Sequence, residues 1–128
     1  MKFSIIGKFD STNKIIGKAR GNRFASANHR KDELQAICYQ VMVQMMGNYQ
    51  QSFPLQRRVS IAFDWYCSSK RTDPDNIRGA SKTLIDALVT CGVLEGDRWK
   101  NIAGFTDNFH TATDGVDRVD MCINEIPQ

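Results

Sequence analysis

Arg57-Arg58-Val59-Ser60-Ile61-Ala62-Phe63-Asp64-Trp65-Tyr66 alternates along its length. Val59, Ile61, Phe63 and Trp65 fall on one side, and Ser60, Ala62, Asp64 and Tyr66 on the other. Successive side chains of a strand point to opposite faces, so the stretch predicts a strand over 57–66 with one face in the core. The other elements follow outward from it. Upstream, Leu34, Ile37, Cys38, Val41 and Met45, with Met42 nearby, recur at helical spacing and predict a helix over 28–46. Gly47 is placed to end it. The Met-rich stripe reads as core packing, since unbranched Met fills irregular gaps. Residues 2–9 alternate as a first strand, with Phe3, Ile5, Gly7 and Phe9 on one side. Between them, 10–27 is polar and basic, with Gly17 and Gly21 as breakers, and reads as a long loop.

Downstream, 75–89 carries an apolar stripe of Ile77, Leu84, Ile85 and Leu88. This predicts a second helix, with Asp75 as N-cap, Gly79 weakening its first turns and Gly92 as its stop. Residues 99–107 and 116–126 read as closing strands. Thr113-Asp114-Gly115 between them predicts an antiparallel pair. The order strand, helix, strand, helix, strand, strand predicts one α+β domain over 1–128, with a mixed or antiparallel sheet and two main helices on one face.

The 128 residues suit one core. The net charge of +3 conceals an asymmetry. Residues 1–72 hold 12 Lys and Arg against 4 Asp and Glu, a balance of +8, whereas 73–128 hold 5 against 10, a balance of −5. A basic half joined to an acidic half fits a surface that attracts phosphate beside a site that binds cations. The four cysteines, Cys38, Cys67, Cys91 and Cys122, show no metal or redox spacing and read as buried free thiols. The opening Met1–Lys8 has too short an apolar run for a signal peptide, and no segment approaches bilayer length. A soluble cytoplasmic protein without a membrane partner is expected.

The chemistry concentrates in Arg71-Thr72-Asp73-Pro74-Asp75-Asn76, followed by Lys82, Asp86 and Asp97. Magnesium is a hard cation held by one or two carboxylates, waters and substrate phosphates. Pro74 biases Asp73 to an extended shape, and in an extended segment residues two apart face one way, so Asp73 and Asp75 can face one cation. Asp97 must return along a helix of roughly 22 Å with a segment that spans about 20 Å, or else serve a second subunit. Lys82 lies about two turns after Asp75, on the same helix face. The bland alternative makes Asp73 a turn residue, Asp75 a cap and Asp97 a loop acid. A calcium loop does not fit: Pro74 intrudes, and Leu84 stands where a bidentate Glu belongs. His29 and His110 are isolated and take no role.

These motifs resemble the RusA family of Holliday-junction resolvases, small and mostly phage-borne endonucleases. Asp73-Pro74-Asp75-Asn76 is similar to the family's Asp-x-Asp-Asn. Lys82-Thr83-Leu84-Ile85-Asp86-Ala87-Leu88 is similar to its Lys-x-x-x-Asp-Ala-Leu helix, and Leu94-Glu95-Gly96-Asp97 to the segment with its third acid. Ser11-Thr12-Asn13 matches more weakly a Ser-Asn or Leu-Asn pair after the first strand. The resemblance implies a RusA-like homodimer that uses Mg2+ to nick four-way DNA junctions in recombination and repair. It implies Asp73, Asp75 and Asp97 as metal-binding catalytic acids and Lys82 as the catalytic lysine. Two departures stand out. The stretch Ile77-Arg78-Gly79-Ala80-Ser81 is near one helical turn longer than in the short form of the family, which makes Arg78 a rival to Lys82. Thr72 also stands where the family tends to be basic, with Arg71 one step earlier.

Lys14, Lys18, Arg20, Arg23, Lys70, Arg71 and Arg78 are the expected DNA phosphate contacts. The competing readings are a non-catalytic branched-DNA-binding module and a phage assembly protein.

Overall fold

The computed structural model describes residues 1–7, 23–49 and 52–127. Its elements are β1 (Lys2–Ile6), α1 (Arg23–Asn48), β2 (Val59–Cys67), α2 (Pro74–Ile77), a 3-10 turn (Arg78–Ala80), α3 (Ser81–Thr90), β3 (Ile102–Thr111) and β4 (Arg118–Glu125). They form a small α+β domain around a four-stranded mixed sheet in the order β1-β4-β2-β3.

The alternation in β2 decides the core. Val59, Ile61, Phe63 and Trp65 are buried, and Phe3, Ile5, Val119, Met121 and Ile123 join them on the same side of the sheet. Ile37 and Val41 of α1 and Leu84, Ala87 and Leu88 of α3 close that side. Full burial of one such large apolar side chain is worth ~1.5–3 kcal/mol. Phe63 lies at the centre, and its truncation to Ala should cost about 3–5 kcal/mol. Met45 packs against this core but Met42 stands outside it, 52% exposed, so the Met-rich stripe is only partly core.

Several boundaries depart from expectation. α1 includes Arg23, which takes that residue out of the expected basic loop. Gly47 does not end α1, since it lacks the positive φ of a left-handed cap. Gly92 does end α3. It has φ 83, its N–H donates to Val89 C=O (3.1 Å), and Val93 N–H donates to Leu88 C=O (2.9 Å). This pair of bonds is a Schellman motif. The second helix is split, its hydrogen bonding tightening to a 3-10 turn around Gly79. Residues 113–115 do turn, with Gly115 at φ 74 and its N–H donating to Ala112 C=O (3.1 Å).

The two closing strands, however, are not partners. β3 pairs parallel with β2, as a helical crossover requires, and β4 pairs antiparallel with β2 on its other side. The chain between them passes over the end of β2. There Ala112 N–H donates to Cys67 C=O (2.8 Å), and Ser68 N–H to Asp117 Oδ1 (2.7 Å).

The two edges of the sheet differ. The β1 edge is closed by side chains of α1 and the residue after it. Gln44 accepts from Ser4 N–H and donates to Ser4 C=O, both at 2.8 Å. Gln40 does the same for Ile6 at 2.7 and 3.0 Å, and the Tyr49 hydroxyl for Lys2 at 2.7 Å both ways. These groups satisfy the backbone much as a further strand would. Among the described residues no strand pairs with the outer edge of β3. No described helix is long and apolar enough to cross a membrane.

Candidate functional site

Asp73 takes the extended backbone that Pro74 imposes, φ −70 and ψ 150, and is itself the N-cap of α2. Its C=O accepts from Asn76 and Ile77 N–H, both at 3.0 Å, but its carboxylate makes no capping bond. The cap is therefore two residues earlier than Asp75. Asp75 lies inside the first helical turn, where Oδ1 accepts only its neighbour's Asn76 N–H (3.0 Å). The extended i, i+2 alignment expected of Asp73 and Asp75 is absent, because Asp75 has already entered the helix. Both side chains are exposed.

Asp73 lines an open cleft of about 390 Å³ with Lys70, Thr72, Ile77, Phe109 and His110. Asp97 does return toward the start of α3. It lines a second cleft, of about 190 Å³, with Ser81, Lys82, Asp86 and Phe105. The loop carrying Asp97 is held by buried Asn101, whose Oδ1 accepts Arg98 N–H at 3.2 Å. A Cβ on Gly96 would lie 3.0 Å from that same oxygen. Arg58 Nε adds a bond to Trp99 C=O (2.8 Å), which leaves the Trp99 ring 89% exposed beside Asp97.

The two candidate cations have different partners. Lys82 Nζ is 3.9 Å from Asp86 Oδ1 on the solvent side, within the cleft of Asp97. Arg78 Nε donates to Asp107 Oδ2 (3.1 Å), and Trp65 Nε1 donates to the other oxygen of Asp107 (2.9 Å). Asp107 stands between Phe105 and Phe109 on the helix side of β3. Sequence reading missed it, although an acid on the apolar side of a strand was the available signal. On the open face of the sheet, Arg118 lies 3.9 Å over the Tyr66 ring, and Tyr66 stacks on His110 at 4.7 Å. His110, read as isolated, has Nε2 2.9 Å from Asp64 Oδ1.

Lys70 and Arg71 are exposed beside the first cleft. Lys14, Lys18 and Arg20 lie outside the described residues, and only the backbone of Arg23 is described. The four cysteines form no disulfide and are half-buried rather than fully enclosed. Cys91, whose Sγ is 3.6 Å from Cys38 C=O, has its thiol pushed up to about 12, first by burial and then by Cys38.

Among the described residues, no three His, Cys, Asp or Glu side chains come together to hold one metal ion. Asp73 and Asp97 occupy separate clefts strung along β3, from Phe109 to Phe105. Within one chain the three acids thus do not make a single cation site. No protein-family model matches this chain, and no curated protein matches it.

Proposed function

We propose that the protein is a RusA-like endonuclease that nicks four-way DNA junctions, with Mg2+ as its cofactor and a homodimer as its working form. One observation carries this reading: the Asp73 and Asp97 carboxylates do nothing for the fold. Asp73 sits at an N-cap without capping, and among the described residues neither carboxylate forms a hydrogen bond or ion pair. An acid that served as cap or loop anchor would be bonded, so the structural alternative loses its support. Both acids are exposed in open clefts beside cationic groups, Lys70 in one and Lys82 in the other.

The roles follow from these positions. Asp73, Asp75 and Asp97 supply the hard oxygen donors that magnesium prefers. Lys82, on solvent and tied only to half-buried Asp86, is the cation able to reach a phosphate. Lys70, Arg71 and the basic 10–23 stretch attract the DNA backbone without reading bases. A junction presents two equivalent strands to a two-fold enzyme, which suits a dimer.

The second reading is a non-catalytic branched-DNA-binding module, favoured by the separation of the acids within one chain. Incubation with a synthetic four-way junction, with and without Mg2+, beside linear and forked duplexes, separates the two. The nuclease reading expects paired nicks in the junction only when Mg2+ is present. Retarded but uncut junction in Mg2+ would support the binding module instead.

A further inference from the structure

We propose that Trp99, with Arg58 and Arg98 beside it, forms a binding site for an unpaired nucleotide of single-stranded DNA. The indole ring stacks on the base and the two arginines hold the flanking phosphates. The site lies next to Asp97 but does not depend on cleavage. It shares with the nuclease reading only the premise that the ligand is DNA.

Trp99 is 89% exposed, more than any other large apolar side chain among the described residues. A ring of this size is highly buried on average in a folded chain. Here it stands on a fixed backbone. Arg58 Nε donates to Trp99 C=O at 2.8 Å. The neighbouring Arg98 C=O accepts from Asn101 and Ile102 N–H, at 2.9 and 3.0 Å. Asn101 is buried, and its own C=O accepts from Val59 N–H at 2.9 Å. The loop is thereby tied to the starts of β2 and β3. A ring presented on an ordered backbone has less freedom to lose when a ligand stacks on it.

Beside the ring lies a cleft of about 230 Å³, lined by Arg58, Asp97, Arg98, Trp99 and Gly104 among others. Gly104 has no positive φ, and a Cβ there would meet nothing within 4 Å. Neither backbone conformation nor packing calls for glycine at this position, so its contribution is room. Glycine inside a strand often marks the close approach of a ligand.

Charge identifies the occupant. Arg58 spends its Nε on a neutral carbonyl, and neither Arg58 nor Arg98 forms an ion pair among the described residues. Lys100, by contrast, is 3.6 Å from Glu95. Two uncompensated guanidinium groups against the one carboxylate of Asp97 leave the cleft net positive, which suits phosphate. An aromatic ring set among cations is the composition of a groove for single-stranded nucleic acid, where bases stack and the backbone is held by charge. Bases inside a duplex have both faces covered by their neighbours, so the ring is offered to an unpaired one.

The fluorescence of the protein reads this site directly. The chain has two tryptophans, and Trp65 is buried at 3% exposure, so the solvent-exposed emission belongs to Trp99. Without Mg2+, short oligo-dT should quench that emission, whereas an abasic single strand of equal length should not. Anisotropy of labelled oligo-dT should show Trp99→Ala binding about 5- to 150-fold more weakly, the range for one lost stacking contact. Trp99→Phe should bind within a few-fold of wild type yet give no quenching. Affinity for a blunt linear duplex should be the same in all three proteins. Because the backbone bonds of residue 99 do not involve its side chain, the variants should keep the wild-type circular dichroism spectrum. Absent quenching, equal quenching by the abasic strand, or a Trp99→Ala loss that is equal for duplex would overturn the site. If oligo-dT stacks on Trp99 but no junction is cut, the nuclease reading fails and this site stands. If junctions are cut while Trp99 ignores oligo-dT, the reverse holds.

Discussion

The guanidinium of Arg78 donates through Nε to Asp107 Oδ2 at 3.1 Å and so ties the 3-10 turn to β3. Asp107 is the more buried partner, its side chain 14% exposed against 52% for Arg78. Removing Arg78 leaves a largely buried carboxylate short of one charged donor, a change that costs about 1–3 kcal/mol. Arg78→Ala should therefore lower the denaturation midpoint, with its effect on DNA cutting secondary to that loss. Lys82 is 80% exposed and holds only Asp86. Lys82→Ala should leave stability within about 0.5 kcal/mol and lower the single-turnover cleavage rate on the order of 10²-fold at saturating junction. If Arg78→Ala folds normally and stops chemistry while Lys82→Ala does not, the roles are reversed.

Asp73→Asn, Asp75→Asn and Asp97→Asn should each abolish cleavage while retaining or improving junction binding. Each removes a charged oxygen donor for magnesium and also reduces repulsion toward phosphate. Because the Asp73 and Asp97 carboxylates make no fold contacts, those two variants should melt as the wild type does. Paired binding and nicking assays on the purified variants check this, and full nicking by any one of them removes that residue from the site.

The strands and the acid motif were legible because they depend on short-range pattern. Val59 to Trp65 alternate, Gly92 supplies the positive φ of a helix stop, and Pro74 dictates the backbone of Asp73. What stayed hidden depends on which chain segments meet. Nothing local says that β4 inserts between β1 and β2, so the turn at 113–115 was read as a hairpin. Gln40 and Gln44 look like ordinary exposed helix residues until β1 lies against them. The division of the acids between two clefts is likewise a tertiary fact, set by where the loop held by Asn101 comes to rest.

Gln44 illustrates how such a hidden contact can be measured. It makes two hydrogen bonds to Ser4, and a net bond is worth ~0.5–1.5 kcal/mol. Gln44→Ala should destabilise the protein by about 1–3 kcal/mol, and Gln44→Glu by at least as much. Glu keeps an acceptor for Ser4 N–H but turns a carboxylate oxygen toward Ser4 C=O. Chemical denaturation gives the magnitude, and faster amide exchange at Ser4 locates it. Unchanged exchange at Ser4 would show that the amide does not protect this edge.

Cys91 offers a test of packing between α1 and α3. Its thiol is pushed up to about 12, mainly by burial, with Cys38 adding to the shift. The thiolate is the reactive form, so at pH 8 Cys91 should be alkylated more slowly than Cys67 or Cys122. The folded state holds this proton more tightly than the unfolded chain, whose thiol keeps the ordinary value of 9.0. Stability from this group is therefore full below about pH 9 and falls as the pH rises toward 12. Cys91→Ala should remove that alkaline dependence while losing some packing at all pH values. Mass-resolved alkylation of the native protein, followed by denaturation at pH 8 and pH 10 for both chains, tests the two halves separately. Rapid labelling of Cys91 at pH 8 would mean that α1 and α3 do not enclose it.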